Sequence, residues 1–270
     1  MKPPGNAALY VNGAGLWSQR LPGWDRARGI LAGLESAPVE LAPRPAPQLL
    51  PPNERRRAPD TVAVALEAAL AACRGANVSP ASLPSVFTSV YGDLVITDYM
   101  CATLASTPTQ VSPTRFHNSV HNAAAGYWTI AAECTRPYTA LSAGEHSFGA
   151  GLLEACVQAW SGDEDVLLVA YDIDARGPLA AVAPSRHLLA AALVVSPRRG
   201  SQAIARFDLE LVAGRQAETS RARPENAALV AGNCGADCLP LMEALALGGS
   251  RRISCLAGPS LTLGIGLQAI

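Results

Sequence analysis

The order of apolar and polar positions sets out a series of short elements. An opening strand at Leu9–Gly13 leads through GLWSQRLPGWDRARGIL, a loop running into a short helix. Val62–Cys73, with its AVALEAALAAC run of strong helix formers, predicts a helix that Asp60 and Thr61 cap. Ser85–Tyr91 reads as a buried strand, and Gly92-Asp93 turns the chain into a helix over Ile96–Leu104. Helices over Asn122–Ala132 and Phe148–Trp160 flank a strand at Tyr138–Ser142. Val166–Tyr171 is wholly apolar, the pattern of a strand buried on both faces. Strands at Leu188–Val195 and Ala203–Leu211 follow, then a helix at Leu239–Leu247 and strands at Ile253–Leu256 and Leu261–Leu267. Helices alternating with strands predict an α/β fold whose sheet is largely parallel and covered on both sides. The proline-rich segment from Ser36 to Ala58, closed by Glu54-Arg55-Arg56-Arg57, reads as extended chain lying over a surface. No internal repeat is evident.

Composition changes this picture in one respect. The 270 residues suit one large domain or two small ones. Charged residues make up only 16% and hydrophobic residues 49%. The charge fraction lies well below the usual quarter, so part of the surface is expected to be covered by a partner. A net charge of −1 argues against nucleic-acid binding. The first residues carry no apolar run of signal-peptide kind, and the longest apolar stretch, Leu188 to Val195, is too short for a bilayer. The expected location is cytoplasmic, with no membrane partner. The seven cysteines are scattered and odd in number. Cys234 and Cys238 lack a second pair at zinc-ribbon spacing, so buried reduced thiols are expected, with no metal site.

Candidate chemistry gathers between Val111 and Val169. Its landmarks are Ser112-Pro113, Asn122, Ala125-Gly126, Gly162-Asp163 and Asp165-Val166. In that order and spacing they resemble the nucleophile region of a β-ketoacyl synthase. FHNSVHNAAAGYW (116–128), LWSQRLPGW, LLPPNERRRA and SFGAGLLEA (147–155) resemble a smaller group more closely: the ketosynthase-like N-terminal-domain proteins of bacterial aryl-polyene and related polyketide clusters. The resemblance implies a thiolase-like α/β fold, a ketosynthase N-terminal half with a truncated second half. It implies one domain over 1–270, with 1–215 as that half and 216–270 as the remnant.

The ungapped register of the resemblance places Glu145 where the family carries its acyl-binding Cys. A rival register reads Thr139-Ala140-Leu141-Ser142-Ala143-Gly144 as the family's T-A-C-S-S-G, which places Leu141 there. Neither residue forms a thioester. The family's two catalytic His come from patterns in its second half that do not occur here; the four His are His117, His121, His146 and His187. A Ser147 nucleophile driven by the adjacent His146 is disfavoured, because neighbouring side chains rarely meet in usable geometry. Glu145 is open to two readings: a carboxylate standing in for the acyl-thioester, or an ordinary one favoured near a helix N-terminus.

By resemblance, the segments carrying Tyr99, Met100, Arg115 and Phe116 reach toward the neighbouring subunit's acyl tunnel, which makes these residues gate candidates. The interface candidates are His117, His121, Asn122, Trp128, Tyr138, Thr139 and Leu141. Metal binding by His117 and His121 is disfavoured, since Asn118, Ser119 and the register argue against a helix this early. The basic run Arg55–Arg57 reads either as a solvated loop or as a lure for an acidic carrier protein.

The expected function is therefore that of a non-catalytic, chain-length-factor-like partner. It would form a heterodimer with an active β-ketoacyl synthase, shape its acyl tunnel, and meet acyl carrier protein through that complex, with no metal or organic cofactor. Two alternatives remain: a stand-alone acyl or carrier-protein binding module, and a residual decarboxylase or acyltransferase using Glu145.

Overall fold

The computed structural model describes residues 8–214 and 219–270. Eight strands form one sheet in the order β3-β2-β4-β5-β1-β6-β8-β7. They are β1 (Leu9–Ser18), β2 (Ser85–Thr88), β3 (Tyr138–Leu141), β4 (Val166–Asp172), β5 (Leu189–Ser196), β6 (Ala205–Ala213), β7 (Ser250–Gly258) and β8 (Leu261–Ala269). The helices are α1 (Trp24–Leu31), α2 (Pro52–Arg57), α3 (Asp60–Ala76), α4 (Leu94–Ser106), α5 (Pro113–Asn118), α6 (Ala123–Ala131), α7 (Ser147–Gly162), α8 (Leu179–Val182), α9 (Pro224–Ala227) and α10 (Leu239–Leu247). The expected division between residues 215 and 216 lies outside the described residues.

The sheet is not largely parallel. Only β2 with β3 and β2 with β4 run parallel; β4–β5, β5–β1, β1–β6, β6–β8 and β8–β7 are antiparallel. The parallel pairs β2–β3 and β2–β4 are reached through intervening helices. The alternation of helices with strands that suggested parallel pairing breaks at β4 and β5, which only the four-residue α8 separates and which pair antiparallel.

Side chains alternate across this sheet into two cores. Phe87, Leu167, Val169, Tyr171, Ala190, Ala192 and Val194 face α3 and α6. Val86, Val166, Leu168, Ala170, Ala191, Leu193 and Val195 face the core that α1, α7 and α10 complete. α3 lies unusually close to β1. A Cβ on Gly13 would stand 2.2 Å from the Ala72 carbonyl oxygen, and one on Gly15 2.0 Å from that of Ala68. The small residues Ala68 and Ala72 complete the fit from the helix side. β1 thus continues through two glycines to Ser18, past the Gly13 where the sequence pattern ended it.

Several boundaries also move for local reasons. Neither Asp60 nor Thr61 caps α3, whose N-cap is Pro59. Asp60 instead pairs with Arg44 at 2.5 Å, and the Thr61 hydroxyl donates to Asp93 Oδ2 at 2.8 Å. Asp93 caps α4, its Oδ1 accepting from the Ile96 N–H at 2.8 Å. The ERRR run forms the end of the short helix α2 rather than extended chain, with Arg55 donating to the Leu50 carbonyl. A short helix, α5, does include His117, but it ends at Asn118, so His121 shares no helix face with it.

Candidate functional site

Two regions carry the residues singled out by sequence. The first is the edge of the sheet at β3. This strand pairs only with β2, which leaves one row of its N–H and C=O groups unpaired along the edge. Tyr138, Thr139 and Leu141 lie on it. The Tyr138 hydroxyl accepts from Asn122 Nδ2 at 2.9 Å, and Thr139 Oγ1 accepts from Gln158 Nε2 at 3.0 Å. Phe116 is 61% exposed and Ile130 78%, and Val120, Leu104 and Tyr91 are exposed too. Of the thirteen residues of α4, largely apolar, only Leu94 and Ile96 are buried.

The gate candidates Tyr99 and Arg115 meet here. The Arg115 guanidinium stacks 4.0 Å from the Tyr99 ring centroid, and the Tyr99 hydroxyl accepts from the Ser112 N–H at 3.1 Å. The stack, worth about 0.5–1 kcal/mol when exposed, pins α5 to α4. Met100 is half-buried on α4, and Phe116 points outward from α5. His117 is exposed, whereas His121 Nε2 lies 3.2 Å from the Ser89 carbonyl oxygen. Trp128, expected at the interface, is fully enclosed beneath α6, its ring centroid 6.5 Å from that of Phe87. A bulky apolar residue on a half-exposed helix fits either place; only the direction of the helix face decides.

The second region is the turn from β3 into α7. α7 begins at Ser147 with His146 as its N-cap, so Glu145 precedes the helix rather than starting it. Its side chain is 77% exposed, and Glu145 Oε1 lies 3.6 Å from His146 Nε2. Leu141 belongs to β3 and packs half-buried against the core. The Ser147 Oγ donates to the Gly144 carbonyl at 2.6 Å and accepts from the Ala143 N–H at 3.0 Å.

A cleft of about 520 Å³ opens beside this turn, lined by Glu145, His146, Arg221, Asp237, Leu239 and Leu256 among others. Cys255 also lines it, and burial pushes its thiol up to about 12, which favours the neutral thiol. His146 is the only histidine in the lining. Among the described residues no group of three metal-ligating side chains comes together, and no helix is long and apolar enough to cross a membrane.

Sequence reasoning missed one feature, a buried carboxylate cluster that reaches the cleft through Asp237. Asp172 ends β4; burial pushes it up to about 6 against the opposing pull of hydrogen bonds from Ser89, Val90 and Tyr91. Burial, and then the nearby Asp172 charge, push Asp237 up to about 8. Asp237 Oδ1 is enclosed without a hydrogen-bond partner among the described residues. The sequence signal was the acid directly following the apolar run VLLVAY, which places a carboxylate at the end of a strand buried on both faces.

No functionally curated protein matches this sequence. Among solved structures, a ketosynthase in complex with its chain length factor from Xenorhabdus doucetiae contains a similar chain. It is 21% identical, with 96% of this chain and 99% of that chain covered and a TM-score of 0.72. The ishigamide ketosynthase/chain length factor is 14% identical over 97% of this chain and 99% of that one, at a TM-score of 0.75. A β-ketoacyl synthase from Burkholderia phymatum is 12% identical, with 97% of this chain and 99% of that chain covered, at 0.69. These likenesses establish the thiolase-like α/β architecture. The model of the β-ketoacyl synthase N-terminal domain matches residues 32–242, and the chain belongs to that family.

Proposed function

We propose that this protein is the non-catalytic, chain-length-factor-type partner of an active β-ketoacyl synthase in polyketide biosynthesis of the aryl-polyene, fatty-acid-like kind. The observation that carries this reading is the bare surface of α4 together with the open edge of β3. An apolar helix with two buried residues and an unpaired strand edge are surfaces that need a protein partner. Complexes of a ketosynthase with a chain length factor among the similar structures support the choice of that partner.

The turn into α7 supports the non-catalytic half of the proposal. Condensation needs a thiolate, and Glu145 stands at the turn, with the cleft's Cys255 held as a thiol. Decarboxylation by the family's route needs two His, and the cleft offers His146 alone. The ketosynthase would supply the nucleophile, both His and the carrier-protein chemistry. Tyr99, Met100, Arg115 and Phe116 would close the far end of its acyl tunnel, with the Arg115–Tyr99 stack holding the gate in place. Residues 216–270 would be the remnant of the second half.

One observation favours the alternative of direct acyl binding: the cleft beside Glu145 joins an apolar wall to Arg221 and Asp237. Co-expression with the ketosynthase encoded beside this chain decides between them. A one-to-one complex that loses activity with the partner's Cys, and keeps it in Glu145→Ala, is the expected result. A monomer that ignores the ketosynthase, or a complex in which Glu145→Ala stops chemistry without disturbing assembly, would overturn it.

A further inference from the structure

The loop that follows β2 joins the buried carboxylate cluster to the bare face. β2 ends at Thr88, and beyond it only one long ladder bond, Ser89 N–H to the Leu141 carbonyl at 3.4 Å, continues. Asp172 supplies the missing grip. Its Oδ1 accepts from the Ser89 hydroxyl at 2.8 Å and from the Val90 N–H at 3.0 Å, and Oδ2 lies 3.2 Å from the same N–H. From behind, the 233–235 loop closes over this carboxylate. A Cβ on Gly235 would stand 3.0 Å from Asp172 Oδ2, so a larger residue there would crowd it. Asn233 Nδ2 ties that loop to the carbonyls of Arg186 and His187, both at 3.0 Å.

From the gripped loop two hydrogen bonds run outward. The Ser89 carbonyl faces His121 Nε2 at 3.2 Å, and the Val90 carbonyl accepts from the Ser142 hydroxyl at 2.9 Å. His121 stands between exposed Val120 and Asn122, the residue that bonds the Tyr138 hydroxyl; Ser142 directly follows β3. The exposed Tyr91 ring is carried by the same loop. One enclosed side chain thus positions three separate pieces of the bare face.

We propose that Asp172 is a positioning residue for partner binding. It fixes the 89–92 loop, and through it Tyr91, His121 and Ser142, in the arrangement that the ketosynthase subunit meets. This rests on the partner reading above. Asp172→Asn tests it, because it removes the charge from the acceptor of the Ser89, Val90 and Tyr91 donors and sets an N–H₂ against one of them.

Two readouts are measured: hydrogen exchange at the Val90 and Tyr91 amides of the isolated chain, and affinity for the co-expressed ketosynthase. Faster exchange and roughly 10–100-fold weaker binding are expected, the loss of one or two charge-assisted hydrogen bonds. Val169→Ala, on the same strand but facing α3, lowers stability without touching the loop and should change neither readout. Should Asp172→Asn fail to fold, Ser142→Ala cuts the outward link at the surface and should weaken binding several-fold. Unchanged exchange in Asp172→Asn, unchanged affinity, or equal weakening by Val169→Ala would each overturn the proposal. A wild-type chain that binds no ketosynthase would overturn the partner reading separately, since amide exchange in the isolated chain still decides whether Asp172 holds the loop.

Discussion

Helices α3 and α4 are both rich in apolar residues, yet their fates are opposite. α3 buries twelve of its seventeen residues, and α4 buries two of thirteen. The difference lies in what each meets. α3 lies across β1, β5 and β4, where Gly13, Gly15, Ala190 and Ala192 let the helix approach closely. α4 begins after the loop that follows β2, capped by Asp93, and meets mainly the short α5, with no core strand across its face among the described residues. Apolar composition alone does not separate a core from a surface that awaits another chain.

The comparison can be broken first on the α3 side. Leu66→Ala empties a fully buried position and should cost about 2–5 kcal/mol in denaturant unfolding, while leaving partner affinity unchanged for the folded chain. An affinity loss as large as the stability loss would mean that the two faces are not independent. On the opposite core, Gly149→Ala sets a Cβ 2.1 Å from the Leu256 carbonyl oxygen and should cost about 1–3 kcal/mol, because backbone must move. A neutral result would show that α7 is free to shift against β7.

The bare face should behave in the reverse way. Phe116→Asp or Ile130→Asp should leave unfolding within about 0.5 kcal/mol of wild type, and lower association with the ketosynthase by at least about tenfold. Equal affinity in both variants would move the interface elsewhere.

The acid cluster sharpens the contrast with a smaller effect. Asp172 and Asp237 titrate in the fold at about 6 and about 8, above the ~3.9 of a free Asp. The folded chain therefore holds protons that the unfolded chain has released. The stability this contributes is complete below about pH 4 and is lost as pH rises through about 6 and then about 8. Melting temperature should fall along that range, and Asp237→Asn should flatten the upper step. A melting curve that instead rises with pH would contradict the burial of these groups.

Much of the fold was legible because burial leaves a periodic trace. The helices α3 and α7 and the strands β4, β5 and β8 all follow from apolar runs of the right length. Glycine hid the second half of β1: the predicted strand stopped at Gly13 and the loop began at Gly15, when their missing Cβ atoms are what α3 requires. Strand direction was misread because helices alternating with strands say which segments are connected, not which strands become neighbours; β4–β5, β5–β1 and β1–β6 pair antiparallel. Of the site residues, Tyr99 and Arg115 were singled out separately, and their stack is a fact of three dimensions. Trp128 was assigned to the surface that its helix flanks, but its ring turns inward to Phe87.

By itself, then, the sequence determined which segments are apolar, where most elements lie, and that the turn before α7 offers no thiol, since these are properties of residue type and local spacing. Only the tertiary structure decided which apolar surfaces find partners within the chain, that Glu145 precedes its helix, and that Asp172 gathers hydrogen bonds from a loop far away in sequence. Those outcomes depend on which distant segments the sheet order brings together, and strand order is set by long-range packing that no local pattern records.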